Sequence, residues 1–203
     1  MSILDIGSRS INDIIEDSRH CQRNWDLSKD IPQEHIDLFV DALTKCPSKQ
    51  NLAHYRLHVI TDRNTIESVY PHCRYKLNMY HTNPQVLANL LFVFEEVKNT
   101  TSMYEDYTNP AYLIERDRDI SIGIASGYLV LIANMLEYKT GFCACFQEKS
   151  IKEVLGLNER PVLMIGVGYN NLDLKHNVGL NIKAELREFD PDPKEPIEVK
   201  FIK

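Results

Sequence analysis

Residues 117–138 constrain the fold more than any other part of this chain. The stretch is apolar on nearly every side, yet Ser121, Gly123, Ser126, Gly127 and Asn134 interrupt it. A helix that is apolar all round is a buried one. The polar and glycine interruptions across 120–136 suit a core helix better than a membrane span. The small residues let neighbouring backbones approach closely. The chain is therefore expected to wrap other elements around a central helix at 117–138.

Those other elements can be read from periodicity. Ile11, Ile14 and Ile15 mark one face of a short first helix, with Ser10 and Asp13 spaced as a capping box, and it runs out near Ser18. Pro32 suits the first position of a second helix, which carries Ile36, Phe39, Val40 and Leu43 on one stripe and stops at Cys46-Pro47. Residues 55–61 read as a strand, followed by a turn at Asp62-Arg63-Asn64. Residues 86–94 and 161–169 are continuous apolar runs, the pattern of strands covered on both faces. Residues 99–110 read as a loop or lid with Tyr104, Tyr107 and, just beyond, Tyr112, and 150–155 as a short helix ended by Gly156.

Beyond Tyr169 the chain turns polar and proline-containing, with Pro191, Pro193 and Pro196. Residues 197–201 then alternate apolar and charged, which is strand periodicity. The whole is expected to be a single α+β domain over 1–203, with a mixed β-sheet flanked by helices. Its core is 9–170 and its C-terminal extension, 171–203, is placed to clasp a partner subunit.

Charge narrows the function. Lys and Arg total 23 against 29 Asp and Glu, for a formal net charge of −6. Such a chain lacks a nucleic-acid footprint, and any anionic ligand must be held by a few placed cations. Five cysteines without a C-x-x-C pair, and a polar start with no apolar leader, point to a reduced, cytoplasmic setting and no membrane anchor. No P-loop, G-x-S-x-G or G-x-G-x-x-G occurs, which removes the usual support for nucleotidase, hydrolase and Rossmann readings.

Three segments carry groups suited to a ligand. Arg19-His20-Cys21-Gln22-Arg23 has two arginines four apart, able to embrace a phosphate by forked hydrogen bonds, though a solvated basic turn has the same look. Pro47-Ser48-Lys49-Gln50-Asn51 offers donors and acceptors for a heteroaromatic edge, or is a polar connection. Residues 140–146 run toward a helix start, where backbone N–H groups can meet an acceptor. Cys143 and Cys145 supply only two of the three or four ligands zinc needs, and buried thiols explain them as well.

Taken in order, these segments resemble the nitroreductase family. Arg19-His20-Cys21-Gln22-Arg23-Asn24-Trp25 is similar to the family's R-[RH]-S-x-[RK]-x-[FW] opening, with Cys21 at the serine. Pro47, Ser48 and Asn51 match P-S-x-x-N, with Ala53, His54 and Tyr55 where Gln-Pro-Trp is usual. Gly123, Ala125 and Leu129 keep the register of its central helix, and Gly156 and the strand closing on Gly168-Tyr169 follow in order. Ala144-Cys145 stand before Phe146 where the family often has Gly-Gly. The resemblance spans about residues 9–170.

The resemblance implies a homodimer with FMN at the subunit interface, working with NADH or NADPH on a small electron-poor acceptor such as a nitroaromatic or quinone, by ping-pong hydride transfer. Arg19, His20, Cys21 and Arg23 would contact the phosphate and ribityl side, and Pro47, Ser48 and Asn51 would come from the other chain. Cys143, Ala144 and Cys145 would lie at the ring, and Lys183 and Arg187, with Lys175 as a further candidate, would complete the phosphate site. Arg74, Lys76 and Asn83 are open candidates for the pyrimidine edge. No side chain is required as a nucleophile or general base. The alternatives are a family-like scaffold that binds flavin with little or no turnover, and a thiol or metal protein built on Cys143 and Cys145.

Overall fold

The computed structural model describes residues 9–74, 83–97, 104, 107–171 and 197–201. In chain order the elements are α1 (Ile11–Ser18), β1 (Trp25–Asp26), α2 (Gln33–Lys45), β2 (Tyr55–Ile60), α3 (Arg63–Val69), β3 (Leu90–Glu96), α4 (Pro110–Met135), β4 (Lys139–Cys143), α5 (Glu148–Leu155) and β5 (Pro161–Asn170). The sheet has the path β1-β5-β3-β2, with β4 also paired to β5. Every ladder between these strands is antiparallel; the parallel component is the single bridge between Cys21 and Thr140.

The apolar runs are explained by the two covered faces of that sheet. Leu90, Phe92 and Phe94 of β3 pack with Phe39 and Leu43 of α2, and with Ile122, Ala125, Leu129 and Ala133 of α4. The intervening Leu91 and Val93 point the other way, to Ile66 and Val69 of α3 and Ile151 of α5. Successive strand residues thus serve opposite cores, so neither alternate position is polar. The run 86–94 is not one strand, however. Pro84–Leu87 forms a 3-10 turn and the strand begins at Leu90. Periodicity could not separate the two pieces because all of 84–86 and 90–95 is buried.

The helix ends follow local chemistry. Ser10 and Asp13 make the expected reciprocal capping box of α1. Asp62-Arg63-Asn64 is not a turn but a helix start: the Asp62 side chain accepts from the Thr65 amide and opens α3. Asn109 caps α4 in the same way, with Pro110 at its first position. The central helix therefore starts seven residues earlier than its apolar pattern and ends at Met135. Tyr104, expected in a lid, is buried and donates to Asp117 of α4 at 3.1 Å.

Two expectations about exposure are revised. The face of α4 bearing Ile120, Ile124, Tyr128 and Leu131 is bare in the single chain, with these side chains 36–52% exposed. The helix is buried on one side only. Residues 197–201 form no strand here: Ile197, Val199 and Phe201 are exposed, and Glu198 pairs with Lys200 at 3.2 Å. Their alternation has no ladder to serve among the described residues.

Candidate functional site

The first and third segments meet. The Gln22 amide donates to the Thr140 carbonyl at 2.8 Å, and the Phe142 amide donates to the Cys21 sulfur at 3.2 Å. Cys21 Sγ in turn faces the Phe142 carbonyl at 3.8 Å. The thiol at the family's serine position is thus turned onto the backbone of β4. Beside it, Arg23 Nη1 donates to the Cys21 carbonyl at 3.3 Å, while its amide and that of Asn24 are taken by Gln22 Oε1. Arg19 and His20 are exposed; Arg19 makes a surface pair with Glu16 at 3.0 Å that a stronger anion can displace.

Two more cations stand at this corner, and spacing alone does not announce them. Asp17 at the end of α1 accepts from Lys139, the first residue of β4, at 2.9 Å and from Arg9. The Lys139 bond outweighs burial and, with Arg9, holds the Asp17 carboxyl below its usual value. Arg9 also donates to the Asn134 carbonyl at 3.0 Å. The corner is therefore tied to the C-terminal end of α4.

Close backbone approach shapes its floor. A Cβ on Gly141 of β4 would lie 2.5 Å from the Gln22 carbonyl oxygen and 2.9 Å from Gln85 Cβ; one on Gly166 of β5 would lie 2.1 Å from the Gln85 carbonyl oxygen. Glycine is required at both. The Trp25 indole N–H donates to the Pro84 carbonyl at 2.9 Å. Asn83 donates from Nδ2 to the carbonyls of Cys73 (3.0 Å) and Cys145 (3.1 Å), which commits both its amide hydrogens to the scaffold. Arg74 Nε is buried without a hydrogen-bond partner.

Of the Cys143–Cys145 stretch, Cys143 is buried and Ala144 and Cys145 are exposed, with α5 starting only at Glu148. Cys143 lies beside the fully buried Cys73. Hydrogen bonding to Cys143 and burial push the Cys73 thiol well above its ordinary range. Among the described residues no three His, Cys, Asp or Glu side chains gather to hold a metal.

The second segment lies elsewhere and is held by itself. Ser48 Oγ donates to the Leu52 carbonyl at 2.8 Å, and the Asn51 amide to the Ser48 carbonyl at 3.2 Å. The buried His54 ring meets the Lys49 carbonyl at 3.2 Å. Gln50 and Asn51 both have left-handed backbones, with φ of 51° and 60°. This turn presents Pro47, Lys49, Gln50 and Asn51 to solvent.

Two rulers give the separation of the segments. Along the sheet, Cys21 is level with Thr140, Val167 and Leu90, whereas the second segment leads into Tyr55, level with Glu96. From Leu90 to Glu96 an extended strand covers about 20 Å. Along α4, the first corner reaches Asn134 and the second reaches Asp117. Burial pushes the Asp117 carboxyl up, but bonds from Arg116 and Tyr104 and the charges of Arg116 and Lys49 hold it below its usual value. Those two residues are about 25 Å apart along a helix. The bare strip of α4 lies between them. Of the remaining expected residues, Lys76, Lys175, Lys183 and Arg187 lie outside the described residues.

A sequence model described as the Nitroreductase family matches residues 17–169. Among solved structures, a nitroreductase family protein from Clostridium novyi NT superposes with a TM-score of 0.65 at 19% identity, covering 81% of this chain and 87% of that one. A protein from Exiguobacterium sibiricum 255-15, assigned as a nitroreductase and solved in complex with FMN, gives a TM-score of 0.67 at 20% identity, covering 86% and 94%. One from Staphylococcus epidermidis ATCC 12228, assigned as an NAD(P)H:FMN oxidoreductase, gives 0.62 at 19%, covering 85% and 92%. At these identities the likeness is one of fold. No curated protein sequence matches the chain.

Proposed function

The chain belongs to the nitroreductase family, and on that premise we propose that it is an FMN-dependent oxidoreductase that uses NADH or NADPH to reduce a small electron-poor acceptor, a nitroaromatic, a quinone or a similar compound. The observation that carries this reading is the split site. The cation corner at Arg19–Arg23, glycine-floored and joined to β4, is about 25 Å along α4 from the 47–51 turn. One cofactor cannot lie against both within a single chain.

A second copy resolves the split. Laid antiparallel across Ile120, Ile124, Tyr128 and Leu131, it brings its own 47–51 turn to the first copy's Cys21–Thr140 corner, and the two-fold relation returns the favour at the other end. Gly123 and Gly127 lie on the exposed side of this helix with open space where a Cβ would stand, so two helices can approach there. A contiguous apolar strip of this kind marks an interface. The exposed Ile197, Val199 and Phe201 suit a clasp onto the second copy, completing one domain per chain over 1–203. Among the described residues no helix is long and apolar enough to cross a membrane; we assign the dimer to the cytoplasm, with no nucleic-acid partner.

FMN, when bound, would supply two-electron hydride chemistry between a nicotinamide and the acceptor. The protein's residues bind, orient and shield. Arg19, His20 and Arg23 would hold the phosphate and ribityl end against the chain's overall negative charge, and Lys183 and Arg187, outside the described residues, are proposed to join them. Cys21 fixes the register of β4, so that Ala144 and Cys145 present backbone at the ring. Pro47, Ser48 and Asn51 of the second copy close the other side.

The purified protein is expected to be yellow, to run as two chains, and to lose its flavin absorbance when NADH or NADPH is added anaerobically. A colourless chain that cannot be reconstituted with FMN sinks the proposal. Bound flavin that neither nicotinamide reduces replaces turnover by a flavin-holding role.

A further inference from the structure

The core that β3 shares with α3 and α5 holds a pair of reactive side chains that the flavin site does not use. Of the five cysteines, Cys21 is turned onto the Phe142 backbone, and Cys46 lies between the Leu43 carbonyl (3.5 Å) and the Tyr55 hydroxyl (3.7 Å). Cys73 and Cys143 instead face each other. Both pack with Ile66, Val69, Val93 and Ile151, both are buried, and their thiols are hydrogen-bonded. Among the described residues no third metal-ligating side chain joins them, so the pair is a dithiol and not a metal site.

The backbone around the pair is held by partners distant in sequence. Cys73 follows the 3-10 turn Tyr70–His72, and its amide donates to the Tyr70 carbonyl at 3.0 Å. Asn83 Nδ2 spans the carbonyls of Cys73 (3.0 Å) and Cys145 (3.1 Å), and the Gln147 amide donates to the His72 carbonyl at 2.9 Å. Cys143 is the last residue of β4, in register with Met164, and its Sγ lies 3.7 Å from the Cys145 carbonyl. Segments 72–73 and 143–147 are thus laced together around the two sulfurs. The sulfurs are also unequal. The bond from Cys73 outweighs burial and holds the Cys143 thiol below its ordinary value, while Cys73 is pushed up. Cys143 therefore ionises first, and the thiolate is the nucleophile. Exposed Ala144 follows it directly, so the reactive sulfur stands one residue from the surface along the chain.

We propose that Cys73 and Cys143 form a reversible disulfide when the protein meets hydrogen peroxide, a redox staple between the turn after α3 and the end of β4. The Cys143 sulfur attacks one peroxide oxygen, the O–O bond breaks, and the departing hydroxide takes up the thiol proton, leaving Cys143 sulfenic acid and one water. The Cys73 sulfur then attacks that sulfur. The S–S bond forms, the S–O bond breaks, and the Cys73 proton leaves with the hydroxyl as a second water. Two thiols are oxidised and one peroxide is reduced. A cellular dithiol reopens the bond by exchange, as befits a disulfide in a reducing setting. Neither step involves a flavin, so the staple and the flavin reading stand or fall separately.

The full chain is treated with hydrogen peroxide, its remaining thiols are alkylated, and the bond is located by non-reducing peptide mapping. Two of the five thiols are expected to disappear, in a peptide joining Cys73 to Cys143. The melting temperature should rise by about 5 °C or more, and dithiothreitol should reverse the rise. Cys73→Ser removes the second thiol and should instead accumulate Cys143 sulfenic acid, trapped by dimedone. Five surviving thiols in the folded wild type overturn the proposal, as does a bond between any other pair, Cys143 and Cys145 included. Both results need no variant to fold. A Cys73–Cys143 bond that leaves the melting temperature unmoved overturns its role as a staple.

Discussion

The two halves of the split site are built differently. The Arg19–Arg23 corner is made by bonds between residues far apart in the chain, Gln22 to Thr140, Phe142 to Cys21 and Lys139 to Asp17. The 47–51 turn is made by bonds within seven residues of one another, Ser48 to Leu52 and His54 to Lys49. The corner exists only when the sheet is folded, so its geometry reports on the core. The turn is a local device at the rim of the sheet. The proposed FMN, anionic at one end and aromatic at the other, would meet a corner fixed by long-range bonds and a turn fixed by local ones.

The sharpest break is expected at the corner. Replacing Arg19 and Arg23 together by Ala should abolish flavin retention while leaving the circular dichroism of the fold intact, as measured by the flavin-to-protein ratio after gel filtration. Retention at the wild-type ratio removes both from the phosphate site.

Next comes the strip that joins two copies. Ile124→Glu places a charge in the proposed interface, and the dimer is expected to weaken by about a hundredfold or more, read by sedimentation. Flavin should be lost in parallel, because each site then lacks its second half. A variant that stays dimeric and yellow breaks the antiparallel docking.

Acid should act unequally on the two ends of β3. At the end near Tyr55, Glu95 is fully buried and bonded to His58 at 2.6 Å, to Arg56 at 2.9 Å and to the Glu159 amide. Burial pushes its carboxyl up, but these bonds outweigh that and hold it at about 2, against an ordinary value of 4.5. A depressed carboxylate contributes stability above its unfolded pKa and loses it as pH falls toward the folded one. Between about pH 4.5 and 2 the fold should lose on the order of 2–3 kcal/mol, and Glu95→Gln should flatten that slope in denaturant titrations. An equal slope in the variant clears Glu95 of the effect.

The smallest effect tests the turn. Gln50→Gly relieves a left-handed backbone and is expected to stabilise the chain by up to about 1 kcal/mol, measured as a raised melting temperature. The contrasting change, Gly141→Ala at the corner, drives a Cβ into the Gln22 carbonyl. It should destabilise by about 1–3 kcal/mol. A neutral Gly141→Ala would mean that the corner is as adaptable as the turn.

Legibility in the sequence followed the same division. The Ser10–Asp13 capping box, the stop at Cys46-Pro47 and the Gly156 end of α5 were readable because each depends on residues within one helical turn. Asp62-Arg63-Asn64 reads as a turn although it opens α3, because the same residues serve either and seven residues show little periodicity. Residues 86–94 read as one strand because 84–86 and 90–95 are all buried, which hides the break between the 3-10 turn and β3. Arg9, Lys139 and Gln85 carry no motif; they matter through neighbours more than fifty residues away.

The sequence by itself determined the capped helices, the buried apolar strands of the two-faced sheet and the order of the three ligand-bearing segments, since these rest on short-range periodicity and capping. The tertiary structure alone decided which segments share a corner, which face of α4 stays bare and which buried amide atoms lack partners. Those outcomes depend on strand register, and register is set by how two cores fill at once, a condition that no local window of the chain contains.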